Sequence, residues 1–227
     1  MNIKTMRVHL KGISDILGGM ALNVETYQSY IAKNAREDHE VKEVVKDEVV
    51  NTGKTEREVA REDAKNVVEG EEQELKVTGF YRDEQTGNLI LKGYQIKGFF
   101  KAAAQAIKDQ IKLSACTSRI DNYLFIQESN IPLMRDGKPI ENPDGYLERP
   151  LRASTAQGPR VALAKSEMVK AGWELEFTIK IVEHNGTKQS KAIDEEMVKE
   201  MLAYGELKGL LQWRNGGYGS FTYEVVE

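Results

Sequence analysis

Three stretches of the chain alternate apolar and polar residues, and a period of two predicts β-strands with one buried face. Residues 3–13 alternate methionine, valine and leucine with arginine, histidine and lysine. Residues 173–182 place tryptophan, leucine, phenylalanine and isoleucine at every second position, and residues 220–226 show a similar alternation. A shorter apolar run at residues 122–127 predicts a buried strand. These four stretches are the predicted core strands.

Two other stretches have the 3.6-residue period of an amphipathic helix. In residues 95–112, apolar side chains recur every three or four positions and lysines lie on the opposite side. Residues 194–205 begin with an aspartate that predicts an N-cap and end at Gly205, the predicted C-terminal cap. Ahead of the first helix, the turn sequence DEQTGN predicts a hairpin over residues 74–93.

The order of the core elements is strand, helix, strand, strand, helix, strand. This order is the split βαβ arrangement, so we expect an α+β fold of the ferredoxin-like type, with helices on one face of a sheet. The other sheet face then stays open for binding. We expect one such domain over residues 1–227, interrupted by two insertions.

The first insertion, residues 33–74, holds 14 acidic and 8 basic residues, whereas the whole chain has a net charge of only −4. It is poor in large apolar residues, so we expect an acidic helical arm with mobile ends. The second insertion, residues 129–171, holds all five prolines and is expected to be irregular, with a basic hairpin inside it. Arg149, Arg152 and Arg160 on that hairpin are candidate ligands of nucleic acid, and a solvated loop is the alternative.

The remaining composition excludes several kinds of chemistry and cellular location. The single cysteine, Cys116, excludes a disulfide within the chain. No apolar run has the length of a signal peptide or a membrane-spanning helix, so we expect a cytoplasmic protein with no membrane partner. Neither zinc-ligand spacing nor a phosphate-binding Walker loop occurs in the sequence, so we expect no metal and no cofactor.

The stretch QWRNGGYGSF, ahead of the last strand, is the best candidate for binding chemistry. Glycine lets a backbone approach a ligand closely, and consecutive N–H groups form an anion-binding concavity. An arginine adds a charged fork for phosphate, and aromatic rings stack on bases. The alternative is that the glycines only shape a turn and the tryptophan belongs to the core. The candidate residues are Trp213, Arg214, Asn215, Gly216, Gly217, Tyr218 and Gly219.

Lys97 and Lys101 lie about one turn apart on the first predicted helix, beside Gly98. At this spacing both ammonium groups reach the same side of the helix, where they would meet a backbone phosphate. An ordinary solvated helix face is the alternative. We include both lysines in the predicted nucleic-acid interface.

Three segments of the sequence resemble the RAMP superfamily. LKGYQIKGFFK is similar to the family stretch I-P-G-x-x-x-K/R-G-x-x-R, which leads into a helix. QWRNGGYGSF is similar to the glycine-rich loop that precedes the last strand of family members, and LKGISDILGGM follows the first strand. The matching residues of the first two segments are Gly93, Lys97, Gly98, Lys101, Gly217, Gly219 and Phe221.

RAMP proteins are ferredoxin-like subunits that form backbones and process guides in CRISPR effector complexes. The resemblance implies a RAMP- or RRM-like core that binds single-stranded RNA, or else DNA, and assembles along the strand as a homo-oligomer. The sequence departs from the family at Lys92, Leu211 and Ser220, which replace a proline, a glycine and a basic residue. The arrangement also resembles stand-alone proteins encoded by phages and prophages, which implies a bacterial or phage-infected cell.

Three functions are compatible with these features. The first, which we favour, is non-enzymatic binding of a single strand on the open sheet face and the glycine-rich loop, without catalytic residues. The second is a phage-encoded anti-defence protein that mimics or binds a CRISPR or other defence complex through protein contacts, in which the acidic arm would take part. The third is a metal-independent ribonuclease that uses His9 or Asp15.

Overall fold

The computed structural model of the chain describes residues 2–22, 76–155, 158–185 and 191–226, without the side chains of residues 21, 76 and 150–163. The strands in these ranges are β1 (Ile3–Gly12), β2 (Ile16–Leu17), β3 (Met20–Leu22), β4 (Lys76–Gly79), β5 (Tyr81–Arg82), β6 (Leu89–Lys92), β7 (Leu124–Ile126), β8 (Asn130–Pro132), β9 (Met134–Arg135), β10 (Lys138–Pro139), β11 (Gly145–Thr155), β12 (Gly158–Val169), β13 (Glu174–Val182) and β14 (Phe221–Val226). The helices are α1 (Gly93–Ala106), α2 (Lys108–Ile111), α3 (Cys116–Tyr123) and α4 (Glu195–Lys208).

The chain divides into two compact units. The first comprises Met1–Met20, Gly79–Leu147 and Ser166–Glu227, and the second comprises Ala21–Thr78 and Glu148–Lys165. In the second unit, the outer parts of β11 and β12 are neighbours in a sheet that β4 and β3 extend. The predicted acidic arm, residues 33–74, lies outside the described residues. None of the described helices is long and apolar enough to cross a membrane.

The main sheet of the first unit has the strand order β10–β9–β13–β1–β14, and β7 also pairs with β13. β1 runs antiparallel to β13, with Met6 opposite Ile179, and antiparallel to β14, with Leu10 opposite Tyr223. β7 is antiparallel to β13. The four predicted core strands therefore form one antiparallel sheet with the order β7–β13–β1–β14. Together with the helices, this sheet confirms the predicted α+β class.

The alternating residues of the central strands form the core of the first unit. Val8 of β1 and Phe177 of β13 are almost fully buried and share one apolar cluster with Phe100 of α1. Phe99 of α1 meets Phe221 of β14 edge to face, with ring centroids 5.3 Å apart. Burial of each large apolar side chain stabilises the fold by about 1.5–3 kcal/mol. The apolar stripe of the predicted first helix thus lies against the sheet, as expected.

The first predicted helix is divided in the structure. α1 begins at Gly93, because Gln95 Oε1 accepts a hydrogen bond from Lys92 N at 2.9 Å and so closes the first turn. It ends at Ala106, and the short α2 follows. Sequence analysis did not predict α3, and this helix takes the first two residues of the strand expected over 122–127. The core strand β7 is shorter for that reason.

The predicted end of the second helix at Gly205 is wrong. α4 begins as predicted, since Asp194 Oδ1 accepts a hydrogen bond from Met197 N at 2.9 Å, but it continues to Lys208. Gly205 is buried inside the helix, and a methyl group there would overlap the ring of Phe221. This glycine therefore makes room for a core side chain and does not end the helix.

The expectation that residues 129–171 are irregular is also wrong, because β8 to β12 lie there. β8 pairs with β6, with Ile131 opposite Leu91, and β6 pairs with β5 across the predicted turn. Pro132 and Pro139 are the last residues of β8 and β10. Proline is tolerated at strand ends and edges, so these prolines mark the limits of short strands and not a loop.

Two glycines inside helices provide a matched test of this packing. A methyl group at Gly98 of α1 meets no atom within 4 Å, so Gly98→Ala should raise the free energy of unfolding by up to about 1 kcal/mol. Gly205→Ala should lower it by about 1–2 kcal/mol, because overpacking against Phe221 outweighs the gain in helix propensity. Urea denaturation of both variants measures the two changes, and stabilisation by Gly205→Ala would contradict the packing described.

Candidate nucleic-acid interface

The glycine-rich loop, residues 209–220, connects α4 to β14 and closes on itself. Leu210 N donates a hydrogen bond to Gly219 O at 2.8 Å, which joins the two ends of the loop. The Leu210 side chain is fully buried. Methyl groups at Gly209 or Gly219 would overlap backbone atoms of the opposite end. Close approach of the two backbone ends therefore requires glycine at both positions.

Backbone and side-chain hydrogen bonds attach this loop to the segment after β1. Gly219 N donates to Asp15 O at 2.7 Å, and Ser220 N donates to Ser14 Oγ at 2.9 Å. Ser14 O in turn accepts a hydrogen bond from Trp173 Nε1 at 2.9 Å, and the Trp173 ring is completely buried. The glycine-rich loop is therefore held at one end of the main sheet. Sequence analysis missed this anchor, because none of its residues shows a periodic signal.

Leu211 connects the loop to a third segment. A methyl group added at Gly19 would stand 3.2 Å from Gln95 Nε2 and 3.4 Å from Leu211 Cδ2, so these three residues lie together. Gln95 belongs to the first turn of α1. The three segments that resemble the RAMP superfamily are distant in sequence, and the structure brings them to one place in the first unit.

The glycine N–H groups do not form the open concavity that the sequence predicted. Gly216 N donates to Trp213 O at 2.7 Å, and Gly217 N donates to Arg214 O at 3.1 Å. Gly219 N is bound to the segment after β1, as described above. Three of the N–H groups expected to bind an anion are therefore satisfied inside the protein, and the turn is closed.

The outer side of the loop carries two stacked aromatic rings. Trp213 and Tyr218 lie with ring centroids 5.1 Å apart and an angle of 16° between the planes. Trp213 is 42% exposed, so it is not a core residue. Gly216 lies close to the same indole, since an added methyl group would stand 2.8 Å from its Cδ2 atom. The loop thus holds the exposed Trp213 ring in a fixed orientation against the half-buried Tyr218.

Arg214 is the charged group beside this pair. In the part of the chain that the structure describes, no carboxylate forms an ion pair with its guanidinium. Its neighbour Asn215 is exposed and accepts a hydrogen bond from Lys208 through Oδ1. Arg214 therefore keeps its charge available for a ligand, whereas Lys208 is already bound within the loop region.

The two lysines predicted on α1 have an internal partner. Lys101 Nζ lies 2.6 Å from Asp121 Oδ1, and Lys97 Nζ donates a hydrogen bond to Asp121 O at 3.0 Å. Lys97 Nζ also lies 4.6 Å from the centre of the Phe125 ring. Burial lowers the pKa of the Lys97 ammonium, as does the nearby charge of Lys101. Both lysines connect α1 to α3, so their position favours a structural role over a phosphate contact.

The predicted basic hairpin coincides with β11 and β12. Arg149 is half-buried on β11, whereas the side chains of Arg152 and Arg160 lie outside the described residues. In the second unit, Lys165 Nζ lies 2.8 Å from Glu148 Oε1 and is thus paired. The place of these arginines in a nucleic-acid interface stays a prediction.

The groups considered for catalysis are bound to other residues of the fold. Asp15 Oδ1 accepts a hydrogen bond from Ala171 N at 3.0 Å, and its carbonyl oxygen accepts one from the glycine-rich loop. His9 Nε2 lies 3.5 Å from Glu174 Oε2 on β13. These contacts give both residues a place in the structure of the sheet end, and a catalytic role for either of them stays a prediction.

The open face of the main sheet has mixed charge. Arg7 of β1 forms an ion pair with Glu176 of β13, and His9 lies near Glu174. Glu224 of β14 stands opposite His9 in the pairing of the strands. Arg7, Lys11 and Lys180 offset the three carboxylates on this face, so the face offers a phosphate backbone no net positive charge.

Comparison with known proteins finds similar structures but no family. No protein-family model matches the chain, and no curated protein matches it. A chain in a structure of the Type III-B Cmr-beta complex bound to cognate target RNA shows 10% identity and a TM-score of 0.45, over 99% of this chain and 59% of that one. A chain of a Type IV-B CRISPR complex shows 9% identity and a TM-score of 0.46, over 98% and 90%. Similarity at this level defines neither a family nor a function.

Two glycines of the loop differ in what surrounds them, which allows a test of the closed turn. Both have positive φ angles, +83° at Gly217 and +76° at Gly219. Gly217→Ala should cost about 1–2 kcal/mol of stability, the strain of a left-handed alanine alone. Gly219→Ala should cost at least about 1 kcal/mol more, because its methyl group also overlaps the Leu210 backbone. Equal losses in urea denaturation would show that the two loop ends are not in contact.

Proposed function

We propose that the protein is a RAMP-like, non-enzymatic binding protein for single-stranded RNA, with a ferredoxin-like core in its first unit. The outer side of the glycine-rich loop is the binding surface, and it includes Trp213, Arg214 and Tyr218. A CRISPR-type effector complex is the assembly in which such a subunit would act, together with further copies of itself along the RNA.

The observation that carries this proposal is the convergence of the three RAMP-like segments. Leu211 of the glycine-rich loop lies against Gly19, which follows β1, and against Gln95 at the start of α1. Sequence motifs at random positions have no reason to meet in space. Their meeting at the end of the main sheet supports a common site, and the order β7–β13–β1–β14 supports the ferredoxin-like arrangement of the strands.

The chemistry of the loop suits a single strand. Stacking on an aromatic ring tolerates every base, because each base has a π-face, and it requires that the base be unpaired. The Trp213–Tyr218 pair offers such a ring surface, and Arg214 offers a charged fork to a phosphate. Much of the affinity would then come from phosphate contacts and would fall as salt rises.

RNA would be bound without a cleavage step and without use of the open sheet face. Asp15 accepts a hydrogen bond from Ala171 N, and His9 lies beside the carboxylate of Glu174. The carboxylates Glu174 and Glu176 offset the cations of the sheet face, so this face supplies little net attraction for RNA. The binding surface is thus smaller than the one expected from the sequence, and its charge is concentrated at Arg214.

A pair of arginine variants tests the location of the surface. Arg214→Ala and Arg7→Ala remove the same charge, but Arg7 lies on the open sheet face in an ion pair with Glu176. With a fluorescein-labelled oligouridine of about 16 nucleotides, Arg214→Ala should weaken binding about tenfold. It should also reduce the slope of log K against log salt by about 1. Arg7→Ala should leave the affinity close to that of the wild type.

Fluorescence anisotropy at several salt concentrations gives both quantities. Equal weakening of RNA binding by the two variants would show that affinity depends on the overall charge of the protein and not on the loop. A wild-type protein that binds no oligouridine at low salt would contradict the proposed function itself.

A further inference from the structure

A second aromatic pair, of the exposed Tyr94 and the half-buried Tyr81, lies in the first unit, outside the glycine-rich loop. Tyr94, on the first turn of α1, is 62% exposed, more than any other aromatic side chain in the described part of the chain. Its ring meets Tyr81 of β5 edge to face, with centroids 6.4 Å apart and 82° between the planes. The two phenol oxygens are 2.7 Å apart and share a hydrogen bond.

This pair has features that the packing of the core does not explain. Tyr94 points away from the apolar stripe of α1, and an exposed aromatic ring gains little stability from burial. The hydrogen bond to Tyr81 raises the pKa of the Tyr94 phenol to about 12, so the phenol keeps its proton to a higher pH than an ordinary tyrosine does. The hydrogen bond and the edge-to-face contact hold an exposed ring in one orientation.

The surroundings of the pair are suited to a polyanion. Lys92 Nζ lies 5.4 Å from the centre of the Tyr81 ring and 2.8 Å from Asn130 Oδ1, which fixes the ammonium beside the aromatic pair. The carboxylate of Asp83 also interacts with the charge of Lys92. Its Oδ1 atom, however, accepts hydrogen bonds from Gln85 N and Thr86 N of its own turn. A cation that also interacts with an aromatic ring is typical of surfaces that hold single strands.

The helix next to Tyr94 leaves space for a ligand. Gly98 lies one turn further along the same exposed face of α1, and a methyl group there would meet no atom within 4 Å. Glycine inside a helix costs stability, and the internal packing of this protein does not require it at this position. A ligand backbone that crosses α1 at Gly98 would find no atom within 4 Å of the position where a Cβ would stand.

We propose that Tyr94, supported by Tyr81 and Lys92, is a second stacking site that takes one base of the same single-stranded RNA bound by the glycine-rich loop. The inference rests on the proposed function and extends its site from the loop to the start of α1. Gln95, which follows Tyr94, is the residue that meets Gly19 beside Leu211, so the two aromatic pairs flank one junction of the fold. The base stacks on the open face of Tyr94, and Lys92 faces the adjacent phosphate.

The test uses two substitutions that retain an apolar side chain at position 94. Tyr94→Phe keeps the ring, whereas Tyr94→Leu keeps apolar volume but loses the π-face. With the labelled oligouridine, Tyr94→Leu should weaken binding about tenfold and Tyr94→Phe much less. Leu207→Ala, at an exposed aliphatic residue near the end of α4, is a control for loss of exposed apolar surface and should bind as the wild type does.

A second readout detects stacking directly. A series of oligonucleotides, each with 2-aminopurine at a different position, reports stacking as a loss of fluorescence. In Tyr94→Leu, the quenching at one position should disappear while the quenching at another position persists. Unchanged affinity and unchanged quenching in Tyr94→Leu, with the Arg214→Ala defect still present, would overturn the second site and leave the proposed function standing. Absence of binding by the wild type would overturn both.

Discussion

β1 is paired along both of its edges, with β13 on one side and β14 on the other, and the first unit depends on this double pairing. The register places the apolar residues of β1 opposite those of both neighbours, so a slip by one residue would turn the whole apolar face toward solvent. The same register positions the segment after β1 beside the glycine-rich loop. A hydrogen bond from Gly219 N to Asp15 O and one from Ser220 N to Ser14 Oγ follow from it.

The proposed binding surface is held rigid by this arrangement. The ends of the loop are joined through Leu210 and Gly219, so its outer turn has little freedom to collapse. The glycine N–H groups of the loop donate hydrogen bonds within the protein. The loop is therefore not an anion-binding concavity but a fixed platform that carries Trp213, Arg214 and Tyr218. A preorganised platform loses less conformational entropy when a flexible single strand binds to it.

Several cations that could meet a ligand are bound within the protein. Lys97 and Lys101 neutralise Asp121, and Arg7 neutralises Glu176, so these cations stabilise contacts within the protein. Arg214 differs, because its guanidinium forms no ion pair among the described residues. Net charge over the whole chain is therefore a poor guide to the surface proposed to bind RNA.

The core elements were predictable because their signals are local. β1, β13 and β14 follow from alternation, and α1 and α4 follow from helical spacing. The eight-residue α3 escaped prediction, since it lacks a long apolar stripe, and Gly205 was misread because its role depends on Phe221 in another element. In the candidate site, the residue types could be predicted from the sequence. The internal hydrogen bonds of the glycine N–H groups and the pairing of Lys97 and Lys101 with Asp121 could not, because they arise from tertiary contacts.

Photocrosslinking tests the account most directly. An oligouridine that contains 4-thiouridine is bound to the protein, irradiated and digested with trypsin, and the crosslinked peptides are identified by mass spectrometry. We expect crosslinks in the peptides on either side of Arg214, which contain Trp213 and Tyr218. Crosslinks confined to peptides from β1 and β13 would contradict the account, because they would place the RNA on the open sheet face.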